Sequence, residues 1–270
     1  MINKDRHLAD SRYGKWWENG FFGLHYDLHA LAEDTRLGEE LTHEHLREQL
    51  AKVKPDFVQC DCKGHPGYTS YPTKVGTASP GIIHDALRIH RDVTHELGIP
   101  LSVHYSGIRD AIAVELHPDW SALDPSGKPI AMFPNRASGI VCPRGPYLEQ
   151  LMIPQLIEII DEYDVDGFWI DGDNWGVRDC YCPRCREEFS KRTGIKRAPE
   201  KREEAEWAEW RAFQRDSSLE TQYLPVLYGR MLLRTGRRPA HPDRKSDPCR
   251  CIGRDPAFGA NLAIHFGGGA

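Results

Sequence analysis

The sequence lacks several features that define large classes of protein. No stretch approaches the ~20 apolar residues of a membrane span. The first 15 residues contain no apolar core of the kind that a secretory signal needs, so we expect a cytoplasmic protein. There is no basic excess: the 270 residues have a net charge of -5, which gives no electrostatic reason to bind nucleic acid or an anionic membrane.

The last forty residues differ from the rest of the chain. Residues 231–270 contain six Gly, four Pro and seven Lys or Arg against three Asp, with no sustained helical or strand period. Such a segment is either a disordered basic extension or a translation of the wrong reading frame. We therefore separate this tail, to which we assign no function, from a folded part at 1–230.

Residues 1–230 alternate strands and helices, which predicts an α/β fold with a parallel sheet. A doubly wound sheet usually has a Gly-rich phosphate loop after its first strand, which is absent here, so we expect a (β/α)₈ barrel. Eight units at this spacing would need roughly 400 residues, so the chain would hold only the first four. The predicted elements, in order, are Phe21–His29, His43–Val53, Asp56–Lys63, Asp85–Leu97, Pro100–Ser106, Pro146–Tyr163, Val165–Asp171 and Glu203–Tyr228.

Each predicted strand begins apolar and ends polar on one face. Because successive side chains alternate between the two faces of a strand, residues two apart lie together. In a parallel barrel these ends meet at the C-terminal mouth, where active sites lie. The polar residues concerned are His25, Asp27, His29, Gln59, Asp61, Lys63, His104, Ser106 and Asp171, with Trp169 beside them.

Several of these segments resemble alpha-L-fucosidases of glycoside hydrolase family 29. The segment Lys63–Lys74 (KGHPGYTSYPTK) is similar to K-H-H-D-G-F-x-x-W-P-S-K of that family, and VDGFWIDG at 165–172 is similar to its fourth-strand W-F-D-G. Weaker similarities are F-G-L-H at 22–25 and H-Y-S at 104–106. The chain departs from the family pattern at Gly64 and Pro66.

The resemblance implies a retaining glycosidase that cleaves a terminal fucoside- or galactoside-like sugar, with Asp171 as the nucleophile. Asp173 and Asp27 compete for that role, and Glu115 and Asp119 are candidates for the acid/base. The predicted catalytic residues are Asp171, Asp173 and Glu115. The predicted substrate-binding residues are His25, Asp27, Lys63, His65, Tyr68, His104, Tyr105 and Trp175.

The cysteine spacing at 180–185 is C-x-C-x₂-C. It resembles a segment of family 42 beta-galactosidases and related uncharacterised barrel hydrolases, in which three such thiolates and one earlier cysteine hold a structural zinc. Tetrahedral zinc needs four ligands, and Cys142 is the best candidate to join Cys180, Cys182 and Cys185. The alternative is that these cysteines stay reduced and bind nothing.

Two other functions remain open from the sequence. One is a metal-dependent barrel hydrolase that uses His25, Asp27, His29 and His104. The other is a carbohydrate-binding fragment without activity. We expect a carbohydrate partner, no organic cofactor, no nucleic acid and no membrane, and the sequence leaves a homo-oligomer open.

Overall fold

A computed structural model describes residues 16–131, 139–172 and 178–217. The predicted tail at 231–270 lies outside these residues, so the division of the chain into two parts stays a prediction. None of the helices in the described ranges is long and apolar enough to cross a membrane.

The centre of the fold is a mixed sheet. Its strands are β1 (Gly23–Tyr26), β2 (Phe57–Lys63), β3 (Tyr68–Thr69), β4 (Thr77–Ala78), β5 (Leu101–Ser106) and β6 (Gly167–Asp171). The four main strands, β1, β2, β5 and β6, are parallel and lie side by side in that order. The short strands β3 and β4 extend the sheet from the end of β2, with β3 antiparallel to it.

The expectation of an α/β fold with a parallel sheet is confirmed. The main strands occur in the sheet in their order along the chain, as in a barrel, whereas a doubly wound sheet reverses its order at a switch point. Closure into a barrel is not established by the described strands and stays a prediction. All six residues of β5 are buried, as expected of a central strand covered on both faces.

Helices connect and cover the strands. They are α1 (Trp16–Asn19), α2 (His43–Val53), α3 (Ala86–Leu97), α4 (Ala111–Leu116), α5 (Ile153–Tyr163), α6 (Pro183–Thr193) and a helical segment at 207–217. The side chain of Thr42 caps α2 by accepting a hydrogen bond from the His45 backbone N–H, and Gly98 ends α3 in the left-handed region at φ 71°. Both features confirm the predicted helix ends.

The helix predicted at Pro146–Tyr163 is irregular next to its internal proline, in keeping with the expected interruption. A π-helical turn at Leu148–Met152 precedes α5 (Ile153–Tyr163), and Pro154 lies in the first turn of α5. Proline has no N–H to donate and its ring crowds the preceding turn, so a regular α-helix cannot run through this position.

Strand β1 is shorter than predicted. It spans Gly23–Tyr26 rather than Phe21–His29. The reason lies just after the strand, where the Leu28 N–H donates to a carboxylate oxygen of Asp61 at 3.1 Å. The chain therefore leaves the backbone ladder early and turns over the end of the sheet.

Candidate active site

Adjacent strand ends bring His104, Asp61 and Asp171 together. In the sheet register Asp61 lies opposite His104 and Asp171 lies opposite Ser106. His104 Nδ1 contacts Asp61 Oδ1, and His104 Nε2 lies 3.3 Å from Asp171 Oδ2. The side chains of His104 and Asp61 are 4% and 0% exposed, whereas that of Asp171 is 30% exposed. Asp171 is therefore the member of this group that solvent or a substrate can reach.

Asp27 and His29, which both follow β1, lie on one side of the cluster. The His29 ring stacks on His104 with 5.5 Å between ring centres. His29 Nε2 lies 3.3 Å from Asp27 Oδ1 and 3.5 Å from Asp61 Oδ2. Asp61 therefore faces imidazoles with both oxygens, which compensates for burying its charge.

His65 lies on the other side of the cluster. Its Nδ1 is 2.8 Å from the Ser106 oxygen, and Ser106 donates its single proton to the Arg109 carbonyl. His65 must therefore donate from Nδ1, which leaves Nε2 as an acceptor while the ring is neutral. Burial, with the charges of His29 and Arg109, lowers the pKa of His65 to about 4, so the neutral form dominates at pH 7.

The electrostatics of the His104–Asp171 pair favour charge on both groups. Burial alone lowers the pKa of His104, but the adjacent carboxylates of Asp171 and Asp61 outweigh it and raise the pKa to about 9. The hydrogen bond from His104 holds the pKa of Asp171 well below its usual range, against the opposing effect of burial. Asp171 is thus an ionised carboxylate at neutral pH.

Lys63 does not join this cluster, although strand alternation predicted that it would. A β-bulge shifts the register so that Asp61 pairs with His104 but Lys63 pairs with Tyr105. The extra residue places the Lys63 side chain on the opposite face of the sheet from Asp61. Its ammonium group instead lies 2.7 Å from Asp110 Oδ2, with both side chains fully buried.

Tyr105 also points away from the cluster. It is one residue from His104, so alternation places it on the opposite face, where it is completely buried. Its hydroxyl donates to Gln155 Oε1 at 2.7 Å. These positions correct the expectation that Lys63 and Tyr105 face the sugar.

The remaining predicted residues are placed as follows. His25 is partly exposed beside Trp169, with 5.6 Å between ring centres, and Tyr68 is half-buried in β3. Glu115 is exposed on α4. Asp173 and Trp175 lie outside the described residues, so their roles stay predictions.

His29 and Asp61 belong to the cluster but are absent from the predicted catalytic and substrate-binding residues. For Asp61, its position on the same strand face as Gln59 was the available signal. A carboxylate one strand away from a histidine could have been taken as its partner, but the sequence does not fix the register between strands.

The second group of chemical interest is the cysteine cluster. It consists of four buried residues, Cys142, Cys180, Cys182 and Cys185. Their four sulfur atoms all lie within 4.8 Å of one another, so the cluster could hold a metal ion. Cys142 Sγ lies 3.6 Å from Cys182 Sγ and 3.5 Å from Cys185 Sγ. Four sulfurs at the usual Zn–S distance of ~2.3 Å in a tetrahedron lie roughly 3.8 Å apart, which these separations approach.

The histidine cluster also has metal-like spacing. His29, Asp61 and His104 offer three ligand atoms within 4.8 Å of one another. However, both ring nitrogens of His104 face carboxylates, an arrangement that needs a proton on each nitrogen, whereas a metal-binding nitrogen must be unprotonated. This arrangement favours an ion-paired group, and the metal-dependent hydrolase stays a prediction.

Most residues of the cluster fall in a segment that matches a family model. Residues 39–172, just under half of the chain, match the family model described as hypothetical glycosyl hydrolase 6. The chain resembles these glycosyl hydrolases. The matched segment ends one residue after Asp171 and contains Asp61, His65 and His104. No curated protein matches the chain.

A solved structure is similar to most of the chain in its fold. Alpha-L-fucosidase isoenzyme 2 from Paenibacillus thiaminolyticus matches 82% of this chain with a TM-score of 0.66 and 20% identity, which informs the fold alone. Alpha-fucosidase from Thermotoga maritima matches 50% of the chain at 22% identity, and alpha-galactosidase from Lactobacillus brevis matches 80% at 13% identity. Their TM-scores of 0.38 and 0.48 are too low to support further argument.

The chain is much shorter than these structures. It spans 32% of the length of the Paenibacillus fucosidase and 29% and 26% of the other two.

Proposed function

We propose that the chain forms the first four βα units of a (β/α)₈ barrel and carries the nucleophile of a retaining glycosidase. The observation that carries this proposal is Asp171, an ionised, half-buried carboxylate at the C-terminal end of a parallel strand. A histidine fixes one of its oxygens. Catalytic residues of parallel barrels lie at such strand ends, and the matched family of hypothetical glycosyl hydrolases supports the same reaction class.

The reaction would proceed in two displacements. Asp171 attacks the anomeric carbon, a carbon–oxygen bond to the carboxylate forms, and the bond to the aglycone oxygen breaks. The aglycone leaves with a proton from an acid. Water then attacks the same carbon, the bond to Asp171 breaks, and the water gives up a proton as the sugar is released. Net retention follows from the two inversions.

The proposed substrate is a terminal fucoside- or galactoside-like sugar. The resemblance of residues 63–74 and 165–172 to fucosidases supports it. His65 Nε2 is an acceptor and would take a hydrogen bond from a sugar hydroxyl, and His25 and Asp27 are exposed enough to contact the sugar. Glu115 and Asp119 remain the candidates for the acid.

The cysteine cluster would hold a structural zinc. Its four sulfurs would complete a tetrahedral site, which leaves no open position for catalysis. Zinc there would tie the loop that contains Cys142 to the start of α6, since Cys182 immediately precedes that helix and Cys185 lies in its first turn.

Kinetics of one substitution test the function. Asp171→Asn should abolish hydrolysis of 2,4-dinitrophenyl α-L-fucoside or galactosides, because an amide does not attack the anomeric carbon. Asp161→Asn makes the same chemical change at an exposed position of α5 and should retain full activity. With Asp171→Gly, added azide should restore turnover and give a glycosyl azide.

Other results would point elsewhere. An active Asp171→Asn variant would remove the nucleophile role. Turnover that requires added divalent cations would favour a metal-dependent hydrolase. Sugar binding without any hydrolysis by the unaltered chain would favour a carbohydrate-binding fragment.

A further inference from the structure

Both nitrogens of one buried histidine face carboxylates. His104 Nδ1 contacts Asp61 Oδ1, and His104 Nε2 lies 3.3 Å from Asp171 Oδ2. A neutral imidazole has one N–H and can satisfy only one of these oxygens, whereas an imidazolium donates to both. The chain of contacts therefore runs from a fully buried carboxylate, through a cation, to a carboxylate that solvent can reach.

We propose that His104 is a positioning residue that fixes the carboxylate of Asp171 for attack, and that Asp61 fixes the His104 ring from behind. This inference rests on the proposed function, because it gives Asp171 the nucleophile role. This positioning role differs from sugar binding by His104, because sugar binding would require a ring nitrogen that is free to hydrogen-bond with a sugar hydroxyl.

Asp61 is itself well anchored. Its second oxygen, Oδ2, accepts the Leu28 N–H at 3.1 Å and lies 3.5 Å from His29 Nε2. The side chain is fully buried and lies on β2, a central strand of the sheet. Asp61 can therefore hold the ring in one orientation while Asp171 exchanges between carboxylate and glycosyl ester.

The group gives Asp171 two properties that a nucleophile needs. The hydrogen bond from His104 to Oδ2, together with the one that the carboxylate accepts from the Gly172 N–H, restricts rotation of the carboxylate. The adjacent positive charge keeps the carboxylate ionised and stabilises it again when the ester is hydrolysed.

The other groups around His104 are three histidines and a tryptophan. His29 stacks on the ring, and the rings of His25 and His65 approach it edge-on at 6.0 and 6.4 Å between centres. Trp169 approaches edge-on at 5.6 Å. The carboxylates that face the ring are Asp61 and Asp171, and the charge of Asp171 also acts on His65.

Histidine-ring NMR tests the pair without any need for turnover. Long-range ¹H–¹⁵N spectra of the ¹⁵N-histidine-labelled chain would be recorded from pH 5 to 10, with the His104 signals assigned by their loss in His104→Gln. We expect the doubly protonated pattern through pH 8, with a midpoint near a pKa of about 9. Asp61→Asn and Asp171→Asn should each lower the midpoint by about one unit or more. A neutral His104 ring at pH 7 would overturn the proposal.

Kinetics test the positioning role with 2,4-dinitrophenyl α-L-fucoside. This leaving group needs little protonation, so the pH profile does not report the unidentified acid. His104→Ala should lower kcat on the order of 10²-fold with little change in KM, because the attacking oxygen loses its orientation. His104→Gln should recover part of that loss, since its amide N–H can reach Asp171.

The pH profile separates positioning from a merely structural role. Above pH 9 the unaltered chain should lose activity as His104 loses its proton, and His104→Gln should lack this alkaline limb. Its acid limb should move to higher pH, because removing the cation raises the pKa of Asp171. His43→Gln, at an exposed histidine of α2, is the matched control and should change neither limb.

The outcomes distinguish the two proposals. Full activity of Asp171→Asn would reject the proposed function. An inactive Asp171→Asn together with normal kcat in His104→Ala would reject only the positioning role. A rise in KM alone in both His104 variants would show that His104 binds the sugar instead.

Discussion

The buried ion pair between Lys63 and Asp110 gives a sharp prediction on stability. Lys63 Nζ lies 2.7 Å from Asp110 Oδ2 and 3.0 Å from the Tyr147 hydroxyl, and 4.6 Å from the centre of the Tyr105 ring. Both charged side chains are 0% exposed. Lys63→Met keeps much of the side-chain volume but leaves a carboxylate buried without its cation.

The expected loss follows from that burial. Removing one partner of a buried pair costs about 3–5 kcal/mol of unfolding free energy, because the other charge stays out of water uncompensated. The Lys74–Glu162 pair has a similar length, 3.0 Å, but its side chains are 76% and 51% exposed. Lys74→Met should therefore cost only about 0–1 kcal/mol.

Urea unfolding followed by circular dichroism measures both variants. A second variant, Lys63→Met with Asp110→Asn, should be more stable than Lys63→Met alone, because asparagine removes the unpaired charge. Asparagine also keeps a side-chain oxygen for the Ala113 N–H that Asp110 caps at 2.9 Å. The reasoning is refuted if Lys63→Met loses no more stability than Lys74→Met.

Three further predictions concern the site and the cysteine cluster. Because folding raises the pKa of His104 from an unfolded value of ~6.5 to about 9, its stabilising contribution is complete below pH 6.5 and lost as pH rises through 9. The difference in urea stability between the unaltered chain and His104→Gln should thus shrink by about 3 kcal/mol over that range, and a constant difference would contradict it. Elemental analysis should find one zinc per chain, and Cys185→Ser should lose this zinc and have a lower Tm. An unaltered chain that contains no zinc and is no more stable than Cys185→Ser would rule the site out. Gly172→Ala should lower the free energy of unfolding more than Gly194→Ala. Both glycines have φ 78°, but a Cβ at Gly172 would lie 2.5 Å from Ser106 Oγ, whereas a Cβ at Gly194 would meet no atom within 4 Å. Equal losses of stability in urea unfolding would show that this contact does not matter.

Local signals in the sequence were sufficient for much of the fold. Thr42 and Gly98 predicted helix ends because their chemistry acts within a few residues. Pro154 predicted the interruption before α5 for the same reason. Strand alternation also predicted that His104 and the strand end at Asp171 lie on one edge of the sheet, since parallel strands share that edge.

Features that depend on pairing between strands could not be predicted. The bulge after Asp61 turns Lys63 to the face of Tyr105, and nothing within β2 indicates where an extra residue is accommodated. The pairing of Asp61 with His104 likewise depends on the register between two strands, because the two residues are 43 positions apart in the sequence. The pairing of Lys63 with Asp110 is also a contact between residues distant in the sequence. These contacts are set by tertiary packing rather than by local pattern.

Covalent trapping tests the central claim most directly. The chain would be incubated with 2-deoxy-2-fluoro-L-fucosyl fluoride, or its galactosyl counterpart, then digested with pepsin and analysed by mass spectrometry. The account predicts one fluoroglycosyl group on the peptide that contains Asp171, and no label in Asp171→Asn. A label on another carboxylate, or hydrolysis with inversion at the anomeric carbon, would contradict it.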